Sequence, residues 1–409
     1  MVPFPFQLDP DFVSQLWQRL NRILSRRTGG DDSSDSLLPS PAHLTRLVQA
    51  SFWASLEKEE TRAVTFSAAF IPPDAGPNAF VFERAVSLSA VSLVKLAPAV
   101  QASKAHIGIW PDADDELVIW GFTSAPLVSK SASQPYWFVD SSLGSPLTIQ
   151  AHEPGQILLL ASHTAIALIT GRRAAFLEEQ GRIWETALWS RIPLGVDPIA
   201  EHEEQRLQIF QSLFKIAQAA RSHGRGGMVL VVPDDEDWRR SVSQPMVYGA
   251  SAPFERARHC LMQYIGGYDA LLNQRGDLVE HILSPENVES FQLLNQSLEA
   301  IGQLTAVDGA TVLTYGLRVL AFGVKVRPID AECRPEIIRL SELIEEGGTR
   351  EVPLSALGNT RHQSAAQFVH DQKGAIAFVI SQDQRITLVA WDENLGGITA
   401  LAHAEWLFS

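Results

Sequence analysis

The sequence predicts an α/β (α+β) protein of two domains: a mixed α/β domain over residues 1–197, and a second over 198–409 whose mixed central sheet is flanked by helices. Three observations lead there. The 409-residue chain is longer than a single hydrophobic core usually sustains. A helix-period stretch at 207–220 runs through a glycine turn into the apolar run Met228–Pro233, an order that opens an α/β unit. Short β-branched runs lie on both sides of a polar stretch at 198–206 (PIAEHEEQR), which marks the boundary.

Taken in chain order, residues 11–24 place Val13, Leu16, Trp17, Leu20, Ile23 and Leu24 on one helical face, with Asp11 as a candidate cap. Such a helix ordinarily packs on its own domain. It is also the best sequence candidate for a contact with a partner. Residues 28–41 are small, acidic and Pro-containing, a linker pattern. A helix at 43–58 and apolar strand runs at 63–71, 106–110, 117–122, 136–139 and 156–170 follow. Within them HIGIWPDADDELVIWGF reads as two strands joined by an acidic turn. Trp53, Trp110, Trp120, Trp137, Trp184 and Trp189 concentrate in this half, where core packing is the ordinary role of an aromatic residue. In the second half, 254–303 reads as helices. The runs at 310–314, 318–326, 375–380 and 385–391 read as strands, and the acidic stretch 330–352 reads as a surface excursion.

A formal charge of −14 argues against general affinity for nucleic acid, which needs clustered Lys and Arg. It does not exclude a nucleotide, for which a few local donors suffice. Cys260 and Cys333 lack zinc-site spacing and are too few for a disulfide framework, so both are expected to be buried or inert thiols in a reducing compartment. The first residues lack a secretory pattern, and the longest apolar stretch, 157–170, is too short and too polar to cross a bilayer. Together these features predict a cytoplasmic protein without membrane contact.

GxxxxGK[ST], GxGxxG, HExxH and GxSxG are absent. The glycines at 224–227 follow a helix instead of opening one, and so read as a structural turn. Two segments carry candidate chemistry. In Leu304–Leu313 an acidic residue, Asp308, precedes Gly309 and Ala310 between apolar runs. A carboxylate there is able to ligate a hard cation, and glycine admits close backbone approach, although Asp-Gly is also an ordinary hairpin turn. In Leu357–Ala366, Thr360, Arg361 and His362 offer donors for phosphate oxygens, and small residues suit a helix start whose free N–H groups favour an anion.

These segments, in this order, resemble the diadenylate cyclase (DAC) family, the nucleotide-binding domain of the DNA integrity scanning protein. Asp308-Gly309-Ala310 is similar to its first motif, and 318–326 to the strand that follows. Leu354–Gly358 with Thr360-Arg361-His362 is similar to the second motif, and Ala375–Ser381 with Asp383 to the third. The resemblance covers 304–391, with a looser one back to about 200. Four departures stand out. The spacing from Asp308 to Arg361 is wide. Asn359 intervenes between Gly358 and Thr360. Gln363 replaces an Arg, and a single Asp follows Ser381. Gly348-Thr349-Arg350-Glu351 imitates the second motif without the His and reads as a decoy.

The resemblance implies a domain that holds one ATP and pairs face to face with another copy, so that each 3′-hydroxyl attacks the other α-phosphate. Two ATP then yield cyclic di-AMP and two pyrophosphates. It implies catalytic roles for Asp308, Arg361 and His362. It also implies substrate contacts from Gly309, Ala310, Thr360, Gln363, Ser364 and Ser381, and Mg2+ or Mn2+ on Asp308 with Asp383. The partners implied are ATP and a second copy, in a homodimer or higher homo-oligomer, and the first domain is implied to be a sensor-like regulator. The alternative is a nucleotide-binding sensor with a weakened site, favoured by Gln363 and the single carboxylate after Ser381.

Overall fold

A computed structural model describes the chain outside residues 1–7, 28–37, 60–61, 74–78, 101–104, 125–146, 162–163, 172, 178–202, 235–236, 273–284, 331, 343–348, 359 and 409. The protein is α+β and divides into two compact units, one holding the described residues up to Leu177, the other those from Glu203 to Trp406.

The first unit contains α1 (Pro10–Arg27), α2 (Pro41–Leu56), a short pair β1 (Lys58–Glu59) and β2 (Arg62–Ala63), then β3 (Phe66–Phe70), β4 (Phe80–Ser87) and α3 (Ala90–Leu96). Strands β5 (Ala105–Pro111), β6 (Leu117–Ser124), β7 (Leu147–Glu153), β8 (Gln156–Ala161), β9 (Thr164–Thr170) and β10 (Arg173–Phe176) complete it. Eight strands form one sheet in the order β10-β9-β8-β7-β3-β5-β6-β4. Only the β3–β5 pair is parallel. The acidic turn between β5 and β6 is as the sequence predicts. Asp112 Oδ1 accepts hydrogen bonds from the backbone N–H groups of Asp114 and Glu116, both at 3.0 Å.

Helix α2 starts at Ser40, whose hydroxyl accepts from His43 N at 3.1 Å, with Pro41 just inside. Helix α1 buries Phe12, Val13, Leu16 and Leu20 in the core of its own unit. Trp17 donates its indole N–H to Pro39 O at 3.1 Å, and the Arg19 guanidinium lies over Phe176. The helix thus packs on its own unit, the ordinary outcome for such a face, and that face is not open to a partner. Of the tryptophans, Trp120 is buried and donates to Ile71 O at 2.7 Å, while Trp53 and Trp110 are half-buried. Trp137, Trp184 and Trp189 lie outside the described residues, as do the strand expected at 136–139 and the boundary expected at 197/198.

The second unit opens with α4 (Glu203–Ser222), β11 (Gly227–Val232), β12 (Val242–Ser243), β13 (Met246–Val247), α5 (Ala252–Leu272) and α6 (Pro285–Leu304). It continues with β14 (Ala310–Thr314), β15 (Val319–Val326), β16 (Ile337–Glu342), β17 (Thr349–Pro353), α7 (Thr360–Asp371), β18 (Ile376–Ile380), β19 (Ile386–Asp392) and β20 (Gly397–Ala402). Its ten-stranded sheet runs β12-β15-β14-β11-β18-β19-β20-β16-β17, with β13 also on β15. It is mixed: β11 is parallel to β14 and β16 to β20, while the other pairs are antiparallel.

The stretch 330–352 is not a surface excursion. Its Ile338 and Leu340 are buried on β16, and β16 with β17 extends the sheet beyond β20. Charged residues among the apolar ones disguised it: Arg339 pairs with Glu351 at 3.3 Å on the outward face, and Arg350, opposite Leu340, pairs with Glu342 at 2.8 Å. Those pairs also show the Thr349-Arg350 decoy at work as an edge strand.

Every residue of β11 is buried, because helices cover both faces of the sheet. On one face Met228, Leu230, Ala377 and Val379 pack with Ala365, Ala366, Phe368 and Val369 of α7. On the other, Phe378 sits beside Phe210 and Phe214 of α4, with ring centroids 6.1 and 6.4 Å away. Among the described residues no helix is long and apolar enough to cross a membrane. Cys333 is exposed and Cys260 is half-buried, so neither of the two thiols, expected to be buried or inert, is fully buried.

Truncating Phe378, which is wholly buried, removes the ring that joins α4 to β18. Phe378→Ala is expected to destabilise the second unit by about 3–5 kcal/mol. Urea unfolding followed by circular dichroism measures this, and a loss below about 1 kcal/mol contradicts the packing described.

Candidate functional site

The sheet order determines which chain ends meet. β11 and β14 run parallel, so their N-terminal ends lie at the same edge; β18 is antiparallel to β11, so its C-terminal end joins them, with Gly227 opposite Ile380. That edge carries Asp308-Gly309 before β14, the 223–226 turn before β11, and Ser381 after β18. The first turn of α7 is placed there by Arg361, whose Nη2 donates to Arg225 O at 3.1 Å. Asp308 and Arg361, 53 positions apart in sequence, thus share one end of the sheet.

Gly226 makes this approach possible. Its φ of +68° favours glycine. A Cβ there would lie 2.7 Å from Arg361 Nη1 and 2.8 Å from Ile380 O. The 224–227 turn, predicted as structural punctuation, is therefore also the floor on which the guanidinium rests. No spacing rule in the sequence reveals that, because the partner is 135 positions away.

The Asp308 side chain is 95% exposed, and its Oδ2 is 2.5 Å from Lys325 Nζ of β15. The hydrogen bond from Lys325, then its charge, hold the Asp308 carboxyl below its usual range, and the Arg361 charge adds to the effect. Lys325 was absent from the sequence-derived site. It is an unremarkable strand residue until β15 pairs with β14, where Val324 lies opposite Ala310.

Gly309 was expected to let a nucleotide approach the backbone. Its φ is +132°, and a Cβ would lie 2.6 Å from Gly323 C and 2.7 Å from Val324 O. The space it leaves is filled by the neighbouring strand, and Ala310 points into the core. Both residues shape the strand start that presents Asp308.

At the head of α7, Thr360 and Gln363 are exposed, Arg361 and Ser364 are half-buried, and His362 is buried. His362 Nε2 lies 3.3 Å from Thr387 Oγ1, and its ring lies against Gly358, where a Cβ would come within 2.6 Å of Nδ1. Burial first, and the Arg361 charge second, push the imidazole below its usual pKa. It is therefore neutral near pH 7, and its ring packs inward against Gly358 and Thr387. His223 behaves alike. Its pKa is lowered by burial, then by Arg225 and Arg361. Thr305 Oγ1 donates to Gly302 O at 2.7 Å, so His223 Nε2–H donates to Thr305 Oγ1 at 2.9 Å and Nδ1 accepts from Arg225 N at 3.1 Å.

Ser381 Oγ accepts from Arg385 N at 3.1 Å and shapes the β18–β19 hairpin turn, in which Asp383 is exposed. Asn359 lies outside the described residues. Among the described residues, no group of three or more His, Cys, Asp and Glu side chains is placed to hold a metal ion. One exposed, ionised carboxylate nevertheless suits the way Mg2+ or Mn2+ binds through a single protein ligand plus substrate phosphates. Asp308 fits that mode. The edge presents Arg361 and Lys325 with a helix start beside one carboxylate, an arrangement complementary to a polyanion.

Residues 33–124 match the family model described as the probable sensor domain DACNV. The match falls within the first unit. No curated protein matches the chain.

The two histidines set a pH dependence. Because His362 and His223 have folded-state pKa values below the unfolded value of about 6.5, the unfolded chain binds protons first as pH falls. Their contribution to stability is complete above pH 6.5 and shrinks as pH drops below it. The urea midpoint is expected to fall more steeply below pH 6.5 in the parent than in His362→Gln, and parallel pH profiles would contradict the assignment.

Proposed function

We propose that the second unit binds ATP and joins two ATP molecules into cyclic di-AMP across a face-to-face pair of chains, with the first unit regulating the pairing. The observation that carries this reading is the meeting of the Asp308 carboxylate and the Arg361 guanidinium at one sheet edge, close enough for the Arg361 charge to lower the Asp308 pKa. That convergence is what the sequence resemblance requires. The match of residues 33–124 to a probable sensor domain supports the regulatory role of the first unit.

In this reading the triphosphate lies along the first turn of α7. Arg361 pairs with phosphate oxygens and stabilises the departing pyrophosphate, while Thr360 and Ser364 add hydroxyl donors. Arg361 is held ready by Arg225 O and by the Gly226 turn against which it lies. Lys325 keeps Asp308 ionised and is itself placed to meet phosphate once a ligand competes for it. A Mg2+ or Mn2+ ion on Asp308, when bound, supplies a lowered pKa at the attacking 3′-hydroxyl. Each chain holds one ATP, so the bond from each 3′-oxygen to the other α-phosphorus forms only when two sites face each other. A homodimer or higher homo-oligomer is the active form in this reading.

A second reading, a nucleotide-binding sensor without turnover, is favoured by Gln363. It is exposed at the head of α7 and offers a neutral amide where the resemblance expects a guanidinium, a difference of about 1.5–3 kcal/mol for one charge-assisted bond.

The full chain incubated with ATP and Mn2+ is expected to release cyclic di-AMP, detected by mass. Asp308→Asn should abolish it, and Arg361→Ala should lower it by about 100-fold. Melting temperature with ATP separates the readings, because a ligand at 100 times its Kd adds about 2.7 kcal/mol. A rise without product selects the sensor. Neither product nor rise at millimolar ATP ends the nucleotide assignment.

A further inference from the structure

At the opposite end of α7, about 14 Å along the helix from Arg361 at 1.5 Å per residue, three side chains form an arrangement that the nucleotide reading does not use. Cys333 is exposed, and its Sγ lies 3.9 Å from His370 Nε2. His370 Nδ1 lies 3.1 Å from Asp371 Oδ1. Asp371 is only 6% exposed, and its carboxylate also accepts from Gln367 Nε2 at 3.1 Å and Ile329 N at 3.0 Å. An ionised carboxylate only accepts, so His370 Nδ1 carries the proton and Nε2 presents its lone pair to the thiol. The Trp391 ring meets the imidazole edge-on, with centroids 5.9 Å apart and planes at 78°, and so fixes its orientation.

The cysteine is held as firmly as the histidine. Gln367 Nε2 donates to Cys333 O at 3.2 Å, Cys333 N donates to Asp330 O at 3.3 Å, and Glu332 N donates to Asp330 Oδ1 at 2.9 Å. Gln367 therefore bonds both the cysteine backbone and the carboxylate that orients the histidine. The other charged groups nearby in sequence are Asp330, Glu332 and Arg334, while Lys373 lies over Trp391. Nucleophile, base and orienting carboxylate thus stand in line, with the sulfur open to solvent. That order activates a thiol wherever it occurs.

We propose that Cys333 is a modification site: a nucleophilic thiol, served by His370 as base and Asp371 as its orienting group, that takes up a small-molecule disulfide by exchange. His370 Nε2 accepts the thiol proton, and the sulfur attacks one sulfur of R–S–S–R. The S–S bond breaks, and the departing RS⁻ recovers the proton from Nε2 to leave as RSH. The products are Cys333–S–S–R and one free thiol, with the disulfide as oxidant.

The test uses the full chain carrying Cys260→Ser, so that one thiol remains, with 5,5′-dithiobis(2-nitrobenzoate) as the disulfide and released thionitrobenzoate as the readout. Each rate is normalised to that of glutathione in the same solvent. The folded chain is expected to react at least about tenfold faster than the same chain unfolded in urea, and His370→Gln is expected to remove that advantage. Cys333→Ser in the same background should release nothing. Two results each overturn the proposal: a folded-state rate no greater than the unfolded one, or an undiminished rate in folded His370→Gln. The first comparison needs no variant at His370, so a misfolded variant does not rescue the idea.

Discussion

The second unit depends on how β11 is flanked. A strand buried on both faces and both edges can satisfy its backbone only through its neighbours, and here one neighbour, β14, is parallel while the other, β18, is antiparallel. That mixed pairing brings two strand starts and one strand end to a single edge. The candidate site follows from it: Asp308 enters β14 there, Ser381 leaves β18 there, and the turn before β11 supplies Gly226 as the seat for Arg361. An all-parallel sheet would have sent Ser381 to the far edge.

Charge at this edge is concentrated against the trend of the chain. A protein with formal charge −14 sets Lys325 and Arg361 close enough to one carboxylate to lower its pKa. The consequences reach the neighbours, with Asp308 held ionised and His223 and His362 held neutral. Net charge describes association at long range, whereas a ligand reads the few groups within reach. The acidic composition is therefore no obstacle to an anionic ligand.

Helix α7 joins two chemistries on one rigid element. Its first turn presents Arg361 to the sheet edge, its middle buries Ala365, Ala366, Phe368 and Val369 against the sheet, and its last turn carries His370 and Asp371. Packing of the middle sets the direction of both ends, so the side chains at each end are held by more than their own hydrogen bonds. Cys333 enters this arrangement only because β16 is part of the sheet and fixes the path of the segment leading into it.

By itself the sequence determined the class of fold, most helices and the strongly apolar strands. Period 3.6 in α1, α2 and α4 and continuous apolar runs in β11, β14 and β18 are local signals that survive any arrangement of the whole. It also marked Asp308 and the 360–364 segment, whose residue types carry chemistry wherever they sit. Strands β16 and β17 were not legible, because charged residues interleaved in them hide the period, and the short run of β20 was not read as a strand. Tertiary structure alone decided that Gly309 makes room for β15, that His362 is turned inward and neutral, and that Lys325, Arg225, Gly226 and His223 stand at the candidate site. The reason in each case is the same: these are contacts between residues remote in the chain, set by strand order and burial, and neither is written in local spacing.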